Sequence, residues 1–408
     1  MFKKVKKKYS NGKQWKIFSA TDFLSLIKPS LLVCRFFGLI SYKILNGKIE
    51  QSKNFGSYCA IVTFVYICAS LLILYIINVS PYMNRASTWM LQGNCFYTLV
   101  NFMLVSNFVF KSSTIKILQN LADTTAKLPN EKFVKISKWI HSKDLVLYLL
   151  LLLHVPKVFV GNIYAVLSKI IGTYAAMTIY LLDFQYNSYV FIIASCFEHI
   201  NEELVQLKYN ACKERGHLLR RVYHHQFNPL LFVKLRYLKQ WHYELNEIIR
   251  KINSNFSLQV VATVIMTFTE LTFGLYFYIL DRRHKIRSLD KEIWYFYYHT
   301  MVMYFSTKLL LLTLTCQYAN NENYKTRTIV NEIIISTDNK LFKEEIYLFS
   351  LQLLHTDNKF IAKGIQLDAT LLTGVDGKRY IHISFNTNTI FNNKLIYMNK
   401  KLEMFTME

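Results

Sequence analysis

Apolar residues in this chain come in blocks of about twenty, long enough to cross ~30 Å of hydrocarbon as helices rising 1.5 Å per residue. Residues 58–78 and 88–110 hold no charged side chain. Four further blocks, 145–165, 170–197, 256–280 and 293–316, are spans interrupted by a few polar groups. Inside a bilayer each backbone N–H and C=O must bond within its own segment, so repeated blocks of this kind imply helices. The shorter stretch 30–45 carries Arg35 and Lys43 and is expected to be an interfacial helix ahead of the first span. The last block, 361–385, is a poor span that would bury Lys363, Asp368, Asp376, Lys378 and Arg379. The pattern predicts an all-α, multi-pass membrane protein with seven transmembrane helices.

Between the fourth and fifth spans, apolar residues recur at helical spacing (Leu231, Leu235, Leu238, Trp241, Leu245 and Ile248). Helical extensions of both spans are therefore expected to fill residues 198–255. The predicted divisions are 1–57, an N-terminal segment with the interfacial helix; 58–316, six spans with the linker 198–255; 317–360; a degenerate seventh helix at 361–385; and an atypical tail at 386–408.

Lysine and arginine set the orientation. They are dense before residue 58, sparse in the second loop, dense over 111–143, reduced to Lys169 after the third span, and dense again over 198–255. This alternation puts the N-terminus and the helical extensions in the cytoplasm. The loop 281–292, with Arg282, Arg283, Lys285, Arg287 and Lys291, breaks the alternation, but late loops weigh less than early ones. Seven spans from a cytoplasmic N-terminus leave the C-terminus outside, the reverse of a G-protein-coupled receptor.

Composition narrows the function classes. With 52% apolar and 18% charged residues and a mean hydropathy of +0.17, the chain is too apolar for an ordinary soluble domain, which is about a quarter charged. Its net charge of +23 lies between the apolar blocks rather than on them, so the partner is a lipid bilayer and not nucleic acid. Met1 to Lys8 are basic but lack the apolar core of a signal peptide, and the first span is expected to serve as its own insertion signal. Cys59, Cys68, Cys95, Cys196 and Cys316 fall in or beside apolar blocks, where a thiol acts as a small hydrophobe. No Cys or His spacing suggests zinc, and no nucleophile–base pair or phosphate loop occurs. His217, His224 and His225 read as surface residues of the basic linker. No enzyme activity, cofactor or metal is expected.

The sharper signal is ionisable residues within spans, each of which costs ~2.5–3.5 kcal/mol at a helix centre. They are Lys157, Asp183, Glu270 and Lys308, with His154 and His299. Asp183 and Lys308 lie about thirteen and fifteen residues below the outer ends of their spans, Lys157 and Glu270 about eight and ten. Level depths predict two pairs, Asp183 with Lys308 and Glu270 with Lys157, or groups lining a water-filled cavity; bundle contacts without a ligand role are the alternative. Aromatic residues crowd the outer halves of the later spans, among them Tyr174, Tyr180, Phe184, Tyr276, Tyr278, Trp294, Tyr297, Tyr298 and Tyr304. As a set they place a candidate small-molecule pocket there, with Tyr180, Phe184, Tyr276, Trp294, Tyr298 and His299 as its named candidates and Thr178 and Thr272 as further polar anchors. An interfacial aromatic belt is the alternative for each.

The C-terminal region carries a more specific pattern. Phe349-Ser350-Leu351-Gln352-Leu353-Leu354 is followed by Phe360-Ile361-Ala362-Lys363-Gly364 and by Leu367-Asp368-Ala369-Thr370-Leu371-Leu372. This resembles the C-terminal signature of insect gustatory receptors, and Asn253-x-x-Phe256 at the fifth span is a weaker likeness. The resemblance implies a tastant-gated, non-selective cation channel subunit of a homo- or hetero-tetramer in the plasma membrane of chemosensory neurons, in dendrite, axon and cell body. It implies small tastants bound between the spans, a cytoplasmic anchor that includes 317–360, and a pore lined by the seventh helix. Phe349, Gln352, Gly364, Asp368, Thr370 and Tyr380 are the motif and pore-helix candidates.

The family ending T-Y-x5-Q-F is degraded here. Tyr380 stands for its tyrosine, Arg379 replaces the threonine, and Asn386-Thr387 replace Gln-Phe. Gly377-Lys378 is what a donor splice sequence would encode, so residues from about 376 are either a translated intron or a divergent terminus. A secondary transporter using Asp183, Glu270 and Lys308 as a relay, or a non-conducting partner subunit, are the other readings; the transporter is opposed by the lack of internal repeats.

Overall fold

The computed structural model describes residues 18–45, 47–79, 87–153, 163–213, 229–282, 289–337, 339–356 and 359–367. Helix α1 (Phe23–Phe36) opens with a reciprocal cap: Ser25 N donates to the Asp22 carboxylate at 2.7 Å, and Asp22 N donates to Ser25 Oγ at 3.1 Å. It buries Phe23, Leu26, Ile27, Leu31 and Cys34 along one stripe. The helix expected over 30–45 is therefore shifted toward the N-terminus and stops at Phe36. Gly38 then takes φ +72°, and β1 (Tyr42–Leu45) pairs antiparallel with β2 (Lys48–Gln51). Leu45 pairs with Lys48, and Gly47 beside it takes φ +76°, the left-handed state that tight hairpin turns favour. Ile49 N donates to Gln119 Oε1 at 2.8 Å, which fastens this hairpin to the helix that carries Gln119.

Helix α2 (Lys53–Val79) faces the bundle with Cys59, Tyr66, Ser70, Ile73 and Ile77. Ile61, Phe64, Leu71, Leu72 and Tyr75 are exposed on its other sides, as expected of a helix bounded by lipid. Polar pairs join it to α3 (Ser87–Thr125): Ser70 Oγ donates to Asn101 Oδ1 at 2.7 Å, and Asn78 and Asn94 exchange amide bonds at 2.9 Å. Then come α4 (Asn130–Leu152), α5 (Ile163–Lys213), α6 (Pro229–Arg282), α7 (Leu289–Ser336) and α8 (Lys340–His355).

Four of the described helices, α2, α3, α5 and α6, are long and apolar enough by length and composition to cross a membrane. Helices α5, α6 and α7 contain 51, 54 and 48 residues. At 1.5 Å per residue each is more than about twice the thickness of the hydrocarbon layer, so all three continue well past it. The extensions read from residues 198–255 are thus formed by the end of α5 and the start of α6. The third expected span, 145–165, is corrected at its far end, because Ile163 already belongs to α5.

A second correction falls at the C-terminus. A helix was expected from residue 361, but β3 (Ile361–Ala362) and β4 (Ile365–Gln366) form a tight hairpin. Lys363 and Gly364 sit at its turn with φ +48° and +84°, a backbone state that glycine adopts without strain. Residues 368–408, including the rest of the expected seventh helix, lie outside the described residues.

Helix α5 packs most extensively on α7, and α3 on α6. Tyr189, Phe197, Trp241, Phe256 and Phe349 are among the largest fully buried side chains of the core.

Candidate functional site

A cavity of about 530 Å³ opens among the last turns of α2 and α4, the first turns of α3, α5 and α7, and the last third of α6. Helix α3 supplies Trp89, Gln92, Gly93, Phe96 and Tyr97, a stripe at spacings of three and four that faces one side of a helix. From α7 come Tyr297, Met301, Tyr304 and Phe305 at the same spacing. Small residues keep the space open. A Cβ added at Gly93 would stand 3.0 Å from Ile77 Cδ1, and one at Gly172 would stand 3.3 Å from Tyr97 Oη.

Among the described residues, two charged ones, Glu270 and Lys169, line this cavity beside its aromatic, aliphatic and small side chains. Glu270 is only 5% exposed, and Gln92 Nε2 donates to its Oε2 at 2.8 Å. Lys169 lies on the first turns of α5, half-buried, two turns from Ala176 on the same wall. Tyr97 Oη donates to Ser168 O at 2.8 Å, tying α3 to α5 beside the opening.

Five of the six residues named for the pocket lie elsewhere among the described contacts. Tyr180 Oη donates to Asp144 O at 2.8 Å, and Phe184 sits 4.3 Å beneath the Lys143 ammonium. Tyr298 stacks on Tyr278 with centroids 4.6 Å apart, His299 is exposed at the edge of Tyr298, and Tyr276 meets Phe277 edge-on. None of these five belongs to the described cavity lining, and the side chain of Trp294 lies outside the described ones. Of the wider aromatic set, Tyr297 and Tyr304 line the cavity. Trp89, Phe96 and Tyr97 were missed because a charge-free span offers no polar contrast by which to choose its inner face. Their spacing at the start of α3 was the available signal.

Below the cavity, Lys308 Nζ stands 2.6 Å from Asp183 Oδ2. Thr263 Oγ1 donates to Asp183 Oδ1 at 2.7 Å. Tyr304 in the cavity wall is one turn from Lys308 on α7, and Glu270 is two turns from Thr263 on α6, so the pair underlies the cavity. The depth argument thus brought together Asp183 and Lys308. Lys157, the expected partner of Glu270, lies outside the described residues.

Beyond the spans, the start of α6, the end of α7 and α8 form a second polar and aromatic cluster. Glu345 on α8 meets Arg236 Nε at 2.5 Å and Lys239 Nζ at 3.0 Å. Burial pushes the Glu345 carboxyl upward, but the hydrogen bonds from Lys239 and Arg236 hold it below the usual carboxylate range. His242 is wholly buried; with its ring neutral, Nδ1 accepts from Asn246 Nδ2 at 2.9 Å and Nε2 donates to Asn323 Oδ1 at 3.0 Å. Burial pushes its pKa down to about 4 against the Asn323 bond.

The C-terminal motif is built into this cluster. Phe349 is fully buried and meets the His242 ring edge-on at 5.6 Å. Gln352 Nε2 donates to Lys239 O at 3.2 Å. Asn253 Nδ2 donates to Lys359 O at 2.7 Å, and Lys363 N donates to Ser257 Oγ at 2.8 Å, so the hairpin bearing Gly364 is bound to α6. Asp368, Thr370 and Tyr380 lie outside the described residues. Among the described residues no group of three or more His, Cys, Asp or Glu side chains is arranged to hold a metal.

The sequence matches a family described as 7tm Chemosensory receptor over residues 27–375. The fold is similar to that of the insect olfactory receptor OR5 from Machilis hrabei, with a TM-score of 0.61 and 11% identity, covering 86% of this chain and 96% of that one. A second structure, of the same receptor in complex with eugenol, aligns with a TM-score of 0.59, the same identity and the same coverage. No curated protein matches the chain.

Proposed function

We propose, from the premise that this chain belongs to the 7tm chemosensory receptor family, that it is a gustatory receptor: a subunit of a cation channel opened by a small tastant. The observation that carries this reading is the cavity of about 530 Å³ among six helices, rich in aromatic rings, a size and lining suited to a small organic ligand. The olfactory receptor of the same fold, solved in complex with eugenol, supports a ligand of small aromatic type. The F-S-x-Q-L-L and F-x-A-x-G motifs favour gustatory over olfactory membership. The alternation of basic loops supports a cytoplasmic N-terminus and a cavity on the outer side of a plasma membrane.

We further infer a tetramer of this or related chains. Support comes from α8, whose Leu341, Tyr347, Leu348, Leu351 and Leu354 are all at least half exposed outside the spans, where lipid cannot cover them. Leu348→Glu with Leu351→Glu is expected to shift the detergent-solubilised protein from tetramer to monomer in light scattering. An unchanged mass would remove this part of the reading.

The channel reading is tested by recording from cells expressing the chain during application of small aromatic compounds. Current that is independent of guanine nucleotides, and abolished by the cavity-filling Ala176→Trp, supports it. Ligand accumulation without current would favour a transporter instead. A glycosylation tag modified at the N-terminus would reverse the topology. The degraded T-Y-x5-Q-F ending favours a second reading, a non-conducting partner subunit, and the 3′ end of the expressed transcript discriminates: an exon restoring that ending supports the channel.

A further inference from the structure

We propose that α1, the β1–β2 hairpin and the facing ends of α2 and α3 together form a binding site for an anionic phospholipid headgroup of the cytoplasmic leaflet. The leaflet follows from the reading of a cytoplasmic N-terminus. The class of ligand depends neither on that reading nor on what occupies the cavity.

Charge is the first observation. From Phe23 to Ala122 the chain has a single acidic residue, Glu50. The same stretch carries Arg35, Lys43, Lys48, Lys53, Lys111 and Lys116. Glu50 stands 3.6 Å from Lys43. Among the described residues, none of the other five cations has an acidic partner. Lys48, Lys53 and Lys116 are exposed, so their ammonium groups are open to an external anion.

The second observation is that these cations share one level. The bonds from Ser70 to Asn101 and between Asn78 and Asn94 fix the antiparallel register of α2 and α3. Followed toward the start of α2 at equal rise, that register sets Lys116 level with Phe55 and within one turn of Lys53. The Arg35 guanidinium lies 3.2 Å over the Phe55 ring. The bond from Ile49 to Gln119 brings the hairpin, with Lys48, to the same end of α3. Lys111 rests 3.9 Å over the Phe108 ring. Cations seated on ring faces are already positioned and lose less freedom when an anion arrives. From this level α2 is free of charge as far as Val79, and α3 is free of charge from Ser87 to Phe110. The cluster therefore stands where two charge-free segments leave the hydrocarbon, the height of the lipid phosphates. Such a group of basic residues beside a span attracts anionic lipids.

The third observation selects a lipid over a soluble phosphate. Leu32, Val33 and Phe36 on α1 and Ile44 and Leu45 on β1 are exposed, Phe36 to 75%. The opposite stripe of α1 is already buried on the bundle. A free phosphate would leave these apolar side chains in water. Acyl chains cover them while the headgroup meets the lysines, as for a helix lying in the interface.

The test offers full-length, detergent-solubilised receptor phosphatidylserine or phosphatidylcholine of identical acyl chains and counts bound lipid by native mass spectrometry. Phosphatidylserine is expected to bind with about tenfold preference. The triple variant Lys48→Gln, Lys53→Gln, Lys116→Gln should reduce this to about twofold or less, with phosphatidylcholine binding and melting temperature unchanged. Arginine at the same three positions keeps the charge and should keep the preference. A control triple of exposed lysines elsewhere, Lys138→Gln, Lys251→Gln and Lys340→Gln, removes the same net charge and should also keep it. Glycerophosphoserine, the headgroup without its chains, should not compete. Equal binding of the two lipids by wild type overturns the proposal, as does a preference that survives the first glutamine triple. Loss of preference in the arginine or control triple, or competition by glycerophosphoserine, overturns it equally. Ligand-evoked current enters none of these measurements, so failure of the channel reading would leave the lipid site standing.

Discussion

Lys308 on α7 and Asp183 on α5 form a buried ion pair, Nζ to Oδ2 at 2.6 Å, with the hydroxyl of Thr263 on the remaining carboxylate oxygen. Removing one partner of such a pair leaves an uncompensated buried charge, which costs ~3–5 kcal/mol, whereas replacing both by apolar groups is often neutral. Asp183→Leu and Lys308→Met are each expected to lower the melting temperature of the solubilised protein sharply. The double variant should recover most of the loss. Additive losses in the double variant would show that the two charges do not depend on each other.

His242 sets an acid limit on the cluster outside the spans. An unfolded imidazole titrates near 6.5, while the buried folded one is held at about 4. Between these values the unfolded chain binds a proton that the folded chain does not, so stability falls as pH drops through that window and is level above it. The full effect is about 3 kcal/mol at 1.36 kcal/mol per pH unit. Amide exchange across α6 and α8 should accelerate as pH is lowered from about 6.5 toward 4, after correction for intrinsic rates. His242→Asn should flatten the response, and an unchanged response would remove His242 as its cause.

Glu345 joins α8 to α6 through Arg236 and Lys239. Its lowered pKa means that this stabilisation is present at neutral pH and is lost as pH falls through the folded value, below the usual carboxylate range. Arg236 is largely exposed, so the pair is screened by water and salt. Glu345→Gln is expected to cost ~1 kcal/mol, read as about fivefold faster amide exchange in α8 at low salt and less at high salt. Equal rates in the two proteins would assign the docking of α8 to its buried Phe342, Ile346, Phe349 and Leu353 alone.

Asn253 binds the backbone at both Lys359 and Ile361. Asn253→Ala should release the β3–β4 hairpin, raising exchange at Ile361 and Lys363 while the spans are unaffected. Each lost bond is worth about 1 kcal/mol. At the turn, Gly364→Val should produce the same release, since a β-branched residue opposes φ +84°, although open space surrounds the position. Retained protection in both variants would show that Phe360 and Leu367 hold the hairpin by burial.

The sequence by itself determined the class of molecule. Charge-free blocks such as 58–78 can satisfy their backbone only as helices in lipid, and the period of residues 231–249 required that α6 extend beyond it. Depth counting along straight helices was enough to bring Asp183 and Lys308 together, because a rise of 1.5 Å per residue converts position into height. Rotation is what counting could not supply. Whether Tyr180 or Tyr97 faces the cavity depends on how each helix turns against its neighbours, and a span that is apolar all round has no polar side to mark which face turns inward. The same holds for Asn253, whose partners lie more than a hundred positions away at Lys359 and Ile361. Only packing brings such residues into reach, so the tertiary structure decided the lining of the cavity, the place of Glu270 within it, and the meaning of the C-terminal motif as a hairpin bound to α6.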